Sequence, residues 1–398
     1  MKNLIYICFL FPLISNILNF QGFTYRFISV PLAQMLAYFN LILITLGSIL
    51  IINRIGILSK TAKIWFAFYM FYFSFGLLAM ALFSNYTPII RTIIPLIYFI
   101  GFYLFLSVEN HRKIFLKTSA IAFLVSSFLL IFFVIINFDL DFGGISLYKV
   151  DRPGGVYGDA NNAALASIIT YVLFNKFFVT NTSTKKHIKI IILLIIACSI
   201  FLTFSTTGMF AFLIILFINN LSFFSKERII LLFIAGILVI GTVLNLKSLT
   251  AGLDLTPGQR LKIDTLVNVV SLNTEKVDNS GRGVLLETLF KYIYENPFIG
   301  NGIDFAANLH GHNTYFGVWA DAGIFTFIIF IIILITYFKK SIQADKSIRY
   351  FCLSILTALC IFMMSLQTII NQPYLLVLFP YIGYLLDEKI NSKQLLNN

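Results

Sequence analysis

The sequence predicts an all-α polytopic membrane protein with about twelve transmembrane helices and one large outside loop. Three observations lead there. Hydrophobic residues make up 59% of the chain and charged residues 12%, whereas soluble domains carry roughly 45–50% and about 25%. The apolar residues fall into runs of the ~20 that a helix needs to cross a bilayer. The basic residues gather between alternate runs, which is how cytoplasmic loops are marked.

The composition excludes an ordinary soluble fold. The interior of a 398-residue globule has no room for 44 Phe and 19 Tyr, so the surplus apolar surface faces lipid. The cysteines Cys8, Cys198, Cys352 and Cys360 all lie inside apolar runs and read as small hydrophobes, not as a disulfide or metal framework.

Twelve spans are expected: 4–20, 33–53, 64–83, 88–107, 118–138, 162–180, 188–204, 207–224, 229–246, 313–338, 349–368 and 371–387. The first resembles a signal peptide in length. Its single preceding Lys2, its internal Pro12 and the lack of a small-x-small cleavage site favour an uncleaved helix. With the N-terminus inside, the inside segments hold Arg54, Lys60 and Lys63, then Arg112, Lys113 and Lys117, and later Lys339, Lys340, Lys346 and Arg349. The outside loops after the third, seventh and eleventh spans hold no basic residue. Both termini are therefore expected in the cytoplasm. The net charge of +12 is a topology signal and not a nucleic-acid footprint.

This reading divides the chain into 1–246, with nine helices and a shorter outside loop at 139–161; 247–312, the large outside loop; and 313–398, with three helices and a cytoplasmic tail. Within the large loop, Leu285, Leu289 and Ile293 recur at four-residue spacing over 282–295. They predict an amphipathic helix lying on the membrane or on the bundle, and Pro297 ends it.

Candidate chemistry clusters in the outside segments. Arg152 lies in Asp151-Arg152-Pro153-Gly154-Gly155-Val156-Tyr157-Gly158-Asp159-Ala160-Asn161-Asn162. A glycine-rich loop entering a helix presents backbone N–H groups, and an adjacent arginine adds a forked cation. That combination suits a phosphate or diphosphate, and equally a turn with an arginine at headgroup level. Arg260 and Arg282 lie in the large loop, the latter in Ser280-Gly281-Arg282-Gly283 at a helix start; loop arginines are more often solvated surface charges. His310 and His312 precede the tenth span. Two histidines without a third ligand make a poor metal site, whereas a histidine titrating near the working pH suits a general base. Arg91 and Asp321 fall inside spans, where charges face a polar cavity or pair with each other. Asp139-Leu140-Asp141 spells a D-x-D, but two acids at a helix end commonly arise by chance. The first outside loop, 21–32, holds no acid, which speaks against transferases of the dolichol-phosphate-sugar type.

Taken in order, these segments resemble the bacterial O-antigen ligase and Wzy-type O-antigen polymerase superfamily. The Arg152–Gly155–Asp159–Asn161 stretch is similar to that family's arginine-glycine-asparagine segment, with Ala160 where Pro is usual. Ser280-Gly281-Arg282, followed by Glu295-Asn296-Pro297-Phe298-Ile299-Gly300-Asn301-Gly302, is similar to its large-loop signature. His312-Asn313, Gly323 and Thr326 follow its histidine motif. One departure stands out: Thr206 occupies a place after the seventh span where the family often has an arginine on which ligases rely.

The resemblance implies a GT-C-like transferase of the bacterial inner membrane acting on its periplasmic face. Its donor and acceptor would be oligosaccharides on undecaprenyl diphosphate, with a chain-length regulator as a further partner and with no metal or other cofactor. Arg152, Arg282, Arg260, Asn161 and Arg91 would hold the diphosphate and substrate. Arg282 would act in catalysis beside His312 as the base, with His310 and Asn313 in secondary roles. Outside the cytoplasm a donor must arrive activated, and a diphosphate leaving group needs cations rather than a general acid. A single displacement inverts the anomeric centre. Thr206 tilts the expectation toward polymerase. A ligase acting on lipid A-core is the nearest alternative. A lipid-linked oligosaccharide flippase is the alternative of another class, disfavoured by the absence of internal repeats.

Overall fold

The computed structural model describes residues 2–83, 89–141, 143–146, 150–178, 183–220, 241–273, 282–367 and 369–396; for Arg91, Ser183, Asn220, Arg282 and 389–396 it describes the backbone alone. The described helices are α1 (Lys2–Ile17), α2 (Phe20–Phe27), α3 (Val30–Ile51), α4 (Lys60–Phe83), α5 (Ile90–Phe105), α6 (Glu109–Ile135), α7 (Ala160–Phe177), α8 (Ser183–Leu202) and α9 (Thr206–Asn220). They continue as α10 (Leu246–Leu249), α11 (Pro257–Val270), α12 (Arg282–Glu295), α13 (Phe305–Asn308), α14 (Thr314–Gln343), α15 (Lys346–Met363), α16 (Pro373–Leu376) and α17 (Leu378–Leu396).

The protein is an all-α membrane protein. Among the described residues five helical stretches are long and apolar enough to cross a bilayer: Val30–Arg54, α4, α6, α14 and α15. α1 and α2 make a sixth if read as one span bent by 61°. The bend sits at Asn19, which adopts a left-handed conformation and whose side chain accepts from Gly22 N to cap α2.

Other expected spans fall on shorter, more polar or interrupted helices. α5 has 16 residues and contains Pro95. α8 opens with Lys185, Lys186 and Lys189. The last expected span, 371–387, is divided between α16 and α17. The expected span 229–246 lies largely outside the described residues.

The chain forms two compact units, one of Met1–Ala122 with Gly281–Asn398 and one of Phe123–Ser280. In the first, α14 packs along α4, and α15, α12 and α13 pack on α14. Its core is aromatic: the Trp65 ring lies 4.7 Å from Phe379 and 5.4 Å from Phe68. A polar staple ties α4, α14 and α17 together. Asp387 accepts from Ser59 Oγ at 2.7 Å and Thr61 N at 2.8 Å, and Lys340 lies 3.1 Å from it. The periodicity over 282–295 left membrane and bundle open as supports for the amphipathic helix. Leu289 and Ile293 of α12 are buried in a cluster with Ala306 and Ala320, so that face packs on protein.

In the second unit α7 packs against α8 and α9. The approach of α9 is close: a Cβ at Gly208 would stand 2.6 Å from Ala164 Cβ. The segment before the arginine loop contains a two-stranded antiparallel hairpin, β1 (Phe138–Asp139) and β2 (Gly144–Ile145), pairing Phe138 with Ile145.

Candidate functional site

Each unit carries one cluster of candidate residues. In the second unit the arginine loop is shaped by its glycines. A Cβ at Gly154 would lie 1.9 Å from Gly158 O, and Gly158 itself has φ +72 with Asp141 packed against it. Neither position accepts a side chain without rebuilding the loop. Asp159 then caps α7 by accepting from Asn162 N at 2.8 Å, worth about 1 kcal/mol to the helix. The cap sets Asn161 in the first turn, where it is buried.

Oδ1 of Asn161 accepts two hydrogen bonds, from Arg152 Nη2 at 3.2 Å and from Ser205 Oγ at 2.7 Å. Ser205 in turn accepts from Gly208 N at 3.0 Å at the start of α9. The position of the family arginine, Thr206, is thus the first residue of α9, next to a serine that shares one oxygen with Arg152. The Arg152 Nε is buried and has no hydrogen-bond partner among the described residues. A buried N–H of a permanent cation left open in this way is costly unless something negative completes it.

Arg260 follows on α11, whose N-terminus is fastened by a Thr256–Gln259 capping box. Gln259 Nε2 donates to Val150 O at 3.1 Å, bringing the start of α11 to the arginine loop. The Arg260 guanidinium itself is exposed and turns back to the carbonyls of Leu255 and Leu253, both at 3.4 Å. Tyr157 is half-buried in the same loop, and its hydroxyl donates to Ser126 Oγ at 3.4 Å. Burial holds its hydroxyl well above the ordinary tyrosine range, so it stays neutral. Of the D-x-D acids, Asp139 accepts from Asp141 N at 2.8 Å, a local turn contact. Among the described residues no group of three or more His, Cys, Asp or Glu is arranged to hold a metal ion.

In the first unit the histidine turn is built by a break in α14. Ala322 and Gly323 leave helical geometry, and Gly323 has φ +76. The break frees backbone groups that a continuous helix would pair, and residues 297–302 take them up. Asn301 N donates to Ala320 O at 2.8 Å, Gly302 N to Asp321 O at 3.0 Å, and Ile324 N to Pro297 O at 2.9 Å. The fit is tight, since a Cβ at Gly323 would stand 2.0 Å from Phe298 O and one at Gly300 2.5 Å from Asp321 O.

Asp321 is buried beside this break and bonded on both oxygens, by Tyr72 OH at 2.8 Å and Ala306 N at 2.7 Å. Asp304 N donates to the same Tyr72 oxygen at 3.3 Å, and Asn371 Nδ2 donates to Asp304 Oδ1 at 3.2 Å. These contacts hold α13 and the turn after it, where His310 and His312 are both exposed and both left-handed, at φ 51 and φ 48. Asn313 is buried and caps α14, accepting from Phe316 N at 3.0 Å.

Residues 191–331 match the O-antigen ligase family model. That stretch is therefore similar to the O-antigen ligase family, in line with the resemblance its motifs carry. The matched stretch takes in Ser205, α12, the histidine turn and the break in α14, while Arg152 and Asn161 precede it. No curated protein matches the chain.

The structure therefore joins Arg152 to Asn161 within one unit and His310, His312 and Asn313 within the other. The side chains of Arg282 and Arg91 lie outside the described residues, and Ser280 and Gly281 lie outside them altogether. Asp321, considered in the sequence as a partner for Arg91, is engaged by Tyr72 and Ala306. Ser205 stands directly before Thr206, in the stretch matched to the family's arginine setting, whereas Tyr72 carries no motif. Tyr72 sits in an aromatic run, and nothing in its sequence neighbourhood marks it.

Proposed function

We propose that the protein is an O-antigen polymerase, an inverting and metal-independent glycosyltransferase that joins undecaprenyl-diphosphate-linked repeat units on the periplasmic face of the inner membrane. The observation that carries this reading is the Arg152 Nε, buried and without a partner among the described residues, in a glycine loop entering a helix. An arginine so placed has a forked geometry to offer a diphosphate, whose negative charge grows as the glycosidic bond breaks. Arg282, at the first residue of α12, is assigned the same chemistry, with Arg260 and Arg91 as further cations. His312 is assigned to take the proton of the acceptor hydroxyl. Its exposure, at the end of a turn anchored by Asp321 and Asn313, supports that role.

The O-antigen ligase description of the matched domain supports transfer to lipid A-core equally well. Thr206, where ligases rely on an arginine, favours the polymerase. The surface-polysaccharide ladder of a deletion strain separates the two. A polymerase deletion leaves single repeats on the core, a ligase deletion leaves bare core, and an unchanged ladder sinks both. In the same strain His312→Ala is expected to lose about 100- to 10,000-fold in rate and His310→Ala much less, both at wild-type protein level. An active His312→Ala with an inactive His310→Ala would move the base to His310.

A further inference from the structure

α12 presents two faces. One buries Leu289 and Ile293. The other lines a shallow, wide-open groove with Glu287, Phe290, Lys291, Tyr294 and Glu295. These five recur at helical spacing and so form one continuous stripe. The rings of Phe290 and Tyr294 stack with centroids 6.0 Å apart at 24°, and Tyr294 is 77% exposed. A large ring held out in this way, flat beside its neighbour, is an unfilled contact surface.

The stripe borders the histidine turn. Leu289, adjacent to Phe290, packs so closely on the turn that a Cβ at Gly311 would stand 3.1 Å from Leu289 Cδ2. Phe290 itself lies 4.7 Å from Phe316 in the first turns of α14. The aromatic platform therefore begins beside the residues flanking Gly311, His310 and His312.

We infer that this groove is a glycan subsite, in which a sugar ring lies on Phe290 and Tyr294 while the flanking carboxylates and Lys291 hydrogen-bond its hydroxyls. This rests on the transferase reading above and extends it to how the sugar chain is held. Sugar C–H groups carry partial positive charge and pack on the negative face of an aromatic ring. Glu287 and Glu295 accept from hydroxyls, and Lys291 donates. The charges argue against a lipid headgroup as occupant. A helix that lies on a bilayer sets Lys and Arg along its polar face, whereas this stripe has two acids to one base and is repelled by anionic headgroups.

The test uses the full-length protein in nanodiscs, titrated calorimetrically with the strain's own repeat-unit oligosaccharide after mild acid has removed its lipid diphosphate. Tyr294→Phe should bind within about twofold of wild type, and Tyr294→Ala about two- to tenfold more weakly. In transfer assays with the lipid-linked donor, Tyr294→Ala should raise KM by that factor and leave kcat unchanged. Equal affinity of wild type and Tyr294→Ala, or no binding by wild type, overturns the subsite. So does quenching of Tyr294→Trp emission by brominated lipids, which would place this face in the bilayer. Oligosaccharide binding that depends on Tyr294 in a protein that transfers no glycan supports the subsite and overturns the transferase reading instead.

Discussion

Arg152 donates through Nη2 to Oδ1 of Asn161 at 3.2 Å, and that oxygen also accepts from Ser205 at 2.7 Å. Among the described residues the guanidinium is thus tethered by Nη2, with its buried Nε left without a partner. An ammonium can replace the charge but neither the fork nor the tether. Arg152→Lys is expected to lose nearly as much polymer as Arg152→Ala, and Asn161→Ala to fall between these and wild type. Polymer ladders at matched protein level measure this. A full ladder from Arg152→Ala would remove the arginine from the site.

Tyr72 bridges Asp321 and the backbone of Asp304. Tyr72→Phe leaves a buried carboxylate with one partner fewer, a loss of about 1–3 kcal/mol. It should lower the melting temperature in detergent and reduce transfer by misplacing the histidine turn. Asp321→Asn, which keeps the acceptor for Ala306 N, should be milder than Asp321→Ala. Unchanged melting and transfer in Tyr72→Phe would show that the bridge does not anchor the turn.

Gly323 combines φ +76 with a carbonyl 2.0 Å from where a Cβ would stand. Gly323→Ala must open the lacing between 297–302 and α14, at a cost of about 2 kcal/mol or more. Lower protein yield and earlier thermal unfolding are expected. Gly252→Ala is the control, since no described residue comes within 4 Å of its Cβ position. Equal stability of the two variants would contradict the close fit.

The charge pattern predicts that 247–312 is outside and the segment around Lys346 inside. A fusion after Asn273 should therefore be active with alkaline phosphatase and a fusion after Lys346 inactive with it. The reverse result would turn the topology over and take the periplasmic reaction with it.

Apolar runs and charge placement determined by themselves that this is a helical membrane protein, because the cost of backbone and charge in lipid depends on composition alone. The same local logic made the glycine loop and the α12 periodicity legible, since turns and helix faces are settled within a few residues. Neither which face supports α12 nor what occupies Asp321 could be read this way. Ile293 packs beside Ala320, and Tyr72 meets Asp321 across most of the chain, so these pairings exist only once α4, α12 and α14 are packed together. The break at Gly323 and the segment after Pro297 read as separate motifs in the sequence. Tertiary structure made them one feature, because the carbonyls released by the break need donors that only the distant segment supplies.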